Sequence, residues 1–539
     1  MCPHHLRCIK NTDRDVIHRN VNLLVPIAAH KIGTQTISDY KSRGFTPILG
    51  FEPKNGIDID DDHRKLILEA PNENNDQDKR ILDATDNNHQ QLNRILEATA
   101  SLAVADARLQ VVAVALHIDN TSLTIAENRD VSPGLAKHIE DLWGQLFNLE
   151  RKNPTEGEKL DFLKSAYCYS VSKNLKRYNK WVPRLSLFLS AVSAITATEP
   201  FIEEFRRIVE SLKAMHGFLR EMETKKNLEK EQWKTVDSFE VRNHLIEHMS
   251  KANWEHQMQE MDRVKKEFPL MLGDFEKYYS TLDWDRALKQ LEDQPGHDKL
   301  SLWVDSVKAH PDPGLLGHAY DTLTTQHRHI TRLLSAPAKP FLSRLFESKM
   351  KVIKVPGTDE VDITLPTDEP GLSRLIRAMY ESVKPWIPTD SITLEVDKLL
   401  PELKKTVNSV ANSVVNGVVH CECALVAYLE DTNNPDKTET DVWKQYNYIG
   451  VSKPSCGACN AWLTAFNETH DTGRTWYTSG CHGKWYKNWM IPPAFNIEKL
   501  KDEMAKIVCQ EFVRYCNPRV HDNTHDHTGS INPRTGTRK

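Results

Sequence analysis

The sequence predicts an α/β protein whose small sheet is interrupted by a long, mainly helical stretch. Three observations carry that reading. Residues 87–130 pass from a helical apolar period into two β-branched segments. Residues 132–351 keep a helical period almost throughout, and a short β-like run at 446–451 stands between two segments rich in His, Cys and Glu.

Residues 1–85 have no sustained period: a short apolar run at 23–32 is followed by the polar NENNDQDK, so an irregular N-terminal segment is expected. From Asn87, Leu92, Ile95, Leu96 and Leu102 recur at helical spacing, with Thr99 as a small residue on the same face. RLQVVAVALHID then reads as a strand, Asn120-Thr121-Ser122 as a turn and SLTIAENRD as a second strand. In the helical stretch, Phe201, Phe205, Ile208, Leu212, Met215, Leu219 and Met222 alternate spacings of four and three, which demands a partner helix. The charge-dense 221–268 reads as a solvated face. KVIKVPGTDEVDITLP has the pattern of a second hairpin, followed by a helix over 371–380 and another over 399–415 that Gly417 would terminate. A strand at 446–451, a helix opening at Cys456, a strand near 475–478 and an amphipathic helix with Ile497, Leu500, Met504, Ile507 and Phe512 complete the order. The polar tail 517–539 is expected to be disordered.

Composition narrows the function. A formal charge of -5 and a pI near 6.5 exclude an overall basic field for nucleic acid, so any such contact must come from a local patch. The opening MCPHHLRCIK lacks the apolar run of a signal peptide, and no apolar stretch approaches the roughly 20 residues that span a bilayer. An intracellular protein, cytoplasmic or nuclear, is therefore expected, with no membrane partner. Cysteines clustered at 421, 423, 456, 459 and 481 in a reducing compartment point to metal or catalysis rather than disulfides.

The chemistry concentrates in VVHCECALVAYL and SKPSCGACNAWL. Cys456 and Cys459 lie one helical turn apart at a helix start, where unpaired N–H groups favour thiolate, the form that zinc binds. With His420 they make three ligands and leave a fourth tetrahedral position for water, as catalytic zinc requires. Glu422, two residues beyond His420, is placed to move protons without being a ligand. A His-x-Glu alone is weak, because His138-Ile139-Glu140 repeats it with no cysteine nearby; Cys-x-x-Cys occurs once. The competing arrangement is a closed structural clamp that recruits Cys421 or Cys423 and leaves Glu422 a bystander.

HCECALVAYL, YIGVSKPSCGACNAWL and GCHGKWYKNWMIPP together resemble the fungal branch of the nucleic acid and nucleotide deaminases, in the cytidine deaminase-like superfamily, most strongly over 418–493. Ser455 departs from the common pattern, which has proline directly before the first cysteine. The resemblance implies a three-layer α-β-α catalytic domain and a zinc-dependent hydrolase acting on the C–N bond of an amidine in a nucleobase, free or within nucleoside, nucleotide or nucleic acid. His420, Cys456 and Cys459 would hold Zn2+, with a zinc-bound hydroxide as nucleophile and Glu422 as proton shuttle. It also implies a helix and two strands before the His-x-Glu helix. Residues 86–131 supply that order, so the helical region 132–395 is expected to be an insertion splitting them from a catalytic segment 396–516. The alternative assignment uses the 349–366 hairpin. Asn128, in AENR, and His482 and Lys484, after the later strand, are the expected substrate contacts.

Other candidates have simpler readings. Cys421, Cys423 and Cys481 read as small buried hydrophobes, and Trp476, Trp485, Tyr486 and Trp489 as core, with base stacking as their functional alternative. The histidines of 521–527 and the group Cys2, His4, His5 and Cys8 receive no role. The rival to an enzyme is a non-catalytic helical scaffold with a structural zinc site. A protein partner of the helical region would suit either that scaffold or an effector.

Overall fold

In a computed structural model, the described residues are 21–32, 75–106, 110–117, 121–150, 155–195, 200–232, 238–278, 314–381, 414–431, 446–470, 474–495 and 497–516, with a few isolated positions between 285 and 404. The chain begins with α1 (Val21–Ile32) and α2 (Asn75–Leu102), then β1 (Val112–His117) and β2 (Ser122–Glu127). The helical region follows as α3 (Pro133–Glu150), α4 (Glu156–Tyr169), α5 (Val171–Ile195), α6 (Pro200–Gln232), α7 (Ser238–His248), α8 (Lys251–Tyr278) and α9 (Gly314–Leu334). After a 3-10 turn at Pro340–Phe346 come β3 (Lys351–Lys354), β4 (Val361–Thr364), α10 (Glu369–Glu381) and β5 (Val414–Gly417). The last elements are α11 (Cys421–Glu430), β6 (Tyr448–Val451), α12 (Gly457–Thr469), β7 (Tyr477–Thr478), a 3-10 turn at Pro493–Phe495, and α13 (Glu498–Cys516).

One five-stranded sheet, in the order β3-β2-β1-β6-β7, carries the architecture. β1 runs antiparallel to β2 (Ala113 opposite Ala126) and, on its other edge, to β6 (Ala113 opposite Val451), while β3 and β7 add parallel edges. Alternation along β1 divides the molecule. Val112, Val114 and Leu116 face a core shared by α2 and the helical region, whereas Ala113 and Ala115 face a second core built from α1, α10, α11, α12 and α13. Helices therefore cover both faces, giving three layers. The small alanines admit α11 close to the sheet. Gly450 does the same on the opposite face, since a Cβ there would come within 2.3 Å of the Leu96 backbone carbon of α2.

In α6 all seven residues of the predicted stripe are buried, and their partners are α5 and α8, including Phe205 against Phe188 and Phe268. A hydrophobic face of this length is stabilised by packing rather than by helix propensity.

Four expectations change. Residues 21–32 form a helix, with Leu24, Val25 and Ala28 fully buried, so the N-terminal 1–85 is not irregular at that point. α2 starts at Asn75, before the expected Asn87, because no Gly or Pro interrupts 75–102. KVIKVPGTDEVDITLP is not a hairpin: β3 joins β2 of the main sheet and β4 pairs with β5 in a separate two-stranded sheet. Gly417 does not cap a helix; it lies in β5 opposite Val361, where its lack of a Cβ avoids Ile363 and Met490. The polar tail, the 521–527 histidines and the cysteines and histidines of 2–8 lie outside the described residues. Among those described, no helix is long and apolar enough to cross a membrane.

Candidate metal centre and the cleft above it

Two helix starts meet on the alanine face of the sheet. His420 is the N-cap of α11, in extended backbone conformation, and its side chain makes no capping hydrogen bond. The missing acceptor comes from elsewhere in the chain: Cys421 N–H donates to Asn128 Oδ1 at 3.0 Å, just past β2. His420 is thereby released from capping, and its ring is free to point at sulfur. Cys456 is the N-cap of α12, and its Sγ accepts from Cys459 N–H at 3.4 Å. That contact and the helix start both favour negative charge on the sulfur.

The three ligating atoms form a nearly equilateral triangle. His420 Nδ1 lies 3.5 Å from Cys456 Sγ and 3.4 Å from Cys459 Sγ, and the sulfurs are 3.4 Å apart. Tetrahedral zinc with ordinary Zn–S and Zn–N bonds needs edges of about 3.5–3.8 Å, so the triangle fits with a slight expansion. Both cysteines are free and buried. Burial, together with the neighbouring thiols, pushes Cys456 and Cys459 well above the usual thiol pKa. A divalent cation held by both sulfurs would reverse that balance and keep them as thiolates. Burial alone would lower His420, but the hydrogen bond and charge of Cys456, with Glu422 nearby, outweigh it and leave the ring raised.

Among the described residues, His420, Cys456 and Cys459 are the one group of His, Cys, Asp or Glu side chains close enough to hold a metal ion. Cys421 and Cys423 are fully buried and outside this group, so the cluster offers three ligand atoms. Glu422 is also buried; its Oε2 lies 3.7 Å from Cys459 Sγ and 3.4 Å from Cys421 Sγ. The lookalike His138 is a core residue, stacked on Tyr169 at 3.6 Å, its Nδ1 accepting from Arg242 and its Nε2 facing Leu102 O at 3.3 Å.

The segment 480–490 fixes both ligand-bearing starts through its backbone. Val418 N–H donates to Asn488 O and Met490 N–H to Val418 O, one residue before the His420 neighbour Val419. On the other side, Ser455 N–H donates to Gly480 O, His482 N–H to Ser455 O and Gly457 N–H to Lys484 O. Ser455 is thus required as an N–H donor, which a proline there could not supply. The Trp485 indole packs against Gly457, where a Cβ would come within 2.3 Å of the indole nitrogen.

The predicted substrate contacts are distributed unequally. Asn128 and His420 line one cleft of about 1360 Å3. His482 stands edge-on to Tyr486 at 5.9 Å, and Tyr486 is 5.7 Å from the His420 ring. Burial, then Lys484, depress the pKa of His482. Lys484 itself is exposed. Of the four aromatics, Trp476, Trp485 and Trp489 are core, while Tyr486 is 42% exposed beside the centre. What the sequence reading missed is the opposite wall of the cleft: Ser172, Lys176 and Asn179 of α5 and Lys226 of α6. The available signal was the absence of any Asp or Glu from Phe162 to Thr198, a span carrying Lys164, Lys173, Lys176, Arg177, Lys180 and Arg184.

Residues 419–493 match a family model described as "OTT_1508_deam:-like deaminase". This segment is therefore a deaminase domain of a cytidine deaminase-like family, in which zinc dependence is general. No curated protein and no solved structure matches the chain.

Proposed function

We propose that the protein is a zinc-dependent hydrolytic deaminase of a nucleobase, with a catalytic domain assembled from 86–131 and 396–516 around the inserted helical region. The observation that carries this reading is the triangle of His420 Nδ1, Cys456 Sγ and Cys459 Sγ with the buried, non-ligating Glu422 beside it. The pairing of β1 with both β2 and β6 supports the split assembly. So does the bond from Cys421 to Asn128.

The three side chains would hold zinc, which when bound supplies a strongly polarised water at neutral pH. Glu422 takes the proton of the attacking water and delivers it to the ring nitrogen beside the amine-bearing carbon, then to the departing amine. Its burial keeps bulk water from competing for that proton. Asn128 offers its amide N–H groups to the base while its carbonyl oxygen stays on α11. Tyr486, 5.7 Å from the His420 ring, and His482 beside it would serve as contacts for the base or sugar.

Metal analysis and turnover of paired variants test this. Glu422→Ala retains zinc at one per chain and loses at least about a hundredfold in rate, the lower range for removing a general acid-base group. Cys459→Ser loses the zinc. Unchanged turnover in the first variant would overturn the role given to Glu422, whereas a zinc-loaded parent protein with no turnover on any base would leave the structural-zinc scaffold.

A further inference from the structure

Asn128 stands just outside the ladder that carries it. β2 ends at Glu127, and residues 128 and 129 bend away from the sheet. A side chain on such a bend has no strand geometry to fix its aim, yet Asn128 accepts from Cys421 N–H while lining the cleft. The chain on either side of it is tied down. Glu127 Oε1 accepts from Gln110 Nε2 at 2.8 Å, and its Oε2 from Ser132 N–H at 3.1 Å. Asp130 Oδ1 accepts from Gly357 N–H at 2.8 Å, across 227 residues of sequence.

The second tie takes the place of a rung of the sheet. β3 pairs in parallel with β2, and its flanks continue the ladder, with Lys351 N–H donating to Thr121 O and Val355 N–H to Ile125 O. Donors facing one neighbour recur every two residues along a strand, so the next in line is Gly357. Pro356 intervenes, and the Gly357 N–H goes to the Asp130 carboxylate instead. The contact requires glycine: a Cβ there would come within 2.6 Å of Asp130 Oδ1 and 2.7 Å of the Asp130 backbone nitrogen. A side-chain shift could relieve the first approach but not the second.

The same stretch of chain then reaches the strand before His420. β4 pairs with β5 from Val361 opposite Gly417 to Thr364 opposite Val414. β5 ends at Gly417, and Val418 and Val419 lead directly to His420. Residues 351–364, where the chain returns from the helical region, therefore hold the Asn128 bend at one end and the approach to His420 at the other.

We propose that Asp130 is a positioning residue: by holding Gly357 N–H it aims the Asn128 side chain at the Cys421 amide and at the base, so that the returning segment 351–364 sets the spacing between Asn128 and His420. The contact with the base rests on the proposed deaminase function; the aim of Asn128 at Cys421 does not. Asp130 is exposed, and a single exposed hydrogen bond is a small part of global stability, so the effect of losing it belongs to the site.

The test compares Asp130→Ala, which loses the acceptor, with Asp130→Asn, which loses the charge but keeps an acceptor oxygen, in the full-length zinc-loaded protein. Hydrogen–deuterium exchange at the Cys421 amide is read by mass spectrometry, with turnover measured in parallel. In Asp130→Ala that amide exchanges about fivefold faster, the effect expected from losing one N-cap acceptor. Its kcat/KM falls about tenfold, within the range for a misplaced contact. Asp130→Asn restores both readouts to near the parent values. Parent-like exchange at Cys421 in Asp130→Ala overturns the proposal, and so does faster exchange with unchanged kcat/KM in an active enzyme. Equal losses in the Asn variant would assign the effect to charge and overturn it as well. A parent protein that alters no base would refute the deaminase reading, and exchange at Cys421 would still decide the role of Asp130.

Discussion

Asn128 and Cys421 are 293 residues apart, yet their hydrogen bond decides how the candidate ligand His420 is used. A helix start needs an acceptor for its exposed N–H groups, and a histidine that caps its own helix cannot also aim its ring at two sulfurs. On the proposed function Asn128 has a substrate contact beside this cap, and substitutions can divide the two tasks. Asn128→Ala loses the cap and lowers stability by about 0.5–2 kcal/mol in denaturant titrations, together with turnover. Asn128→Asp keeps an acceptor, and adds charge that a helix N-terminus favours, so stability is retained while turnover still falls for want of the amide donor. Equal stability of the Ala and Asp variants would contradict the capping role. At this scale much was legible in the sequence, because His420, Glu422, Cys456 and Cys459 have chemistry that depends on local spacing. Tyr486 was not separable from Trp485 and Trp489, since exposure within an aromatic run is decided by what packs over it.

At the scale of elements, the close approaches carry the architecture. α2 crosses β6 at Gly450, where a side chain would meet backbone rather than a movable side-chain tip. Gly450→Val separates this helix from the sheet and costs about 1–3 kcal/mol or more, read as a lower unfolding midpoint, while an unaltered midpoint would refute the contact. Elements with a strong period of their own, such as α6 and the pair β1 and β2, were legible because seven in-phase apolar residues or two β-branched runs admit one solution. β3 and β4 were misread for a physical reason. Each is four residues long, with an alternation that fits a hairpin, but their partners β2 and β5 lie far away in sequence and pairing is set by those partners. Gly417 was ambiguous in the same way, since a glycine after an apolar run suits a helix stop as well as a crowded strand.

For the whole molecule, the helical region is not a bead on a linker. It shares a core with one face of the sheet, and α5 walls the cleft that reaches His420. A segment limited to 396–516 would lack β1, the strand that pairs with β6, and the helix α2 that covers it. We expect that fragment to aggregate or remain unfolded by circular dichroism, whereas a stable, zinc-binding fragment would disprove the split assembly. The central claim is that the His420, Cys456, Cys459 and Glu422 group removes an amine from a nucleobase. Mass spectrometry of nucleosides, nucleotides and single-stranded oligonucleotides after incubation with the zinc-loaded full chain tests it most directly. The account predicts a gain of about one mass unit per altered base, absent with Glu422→Ala; no gain in any substrate with a zinc-replete protein would contradict it.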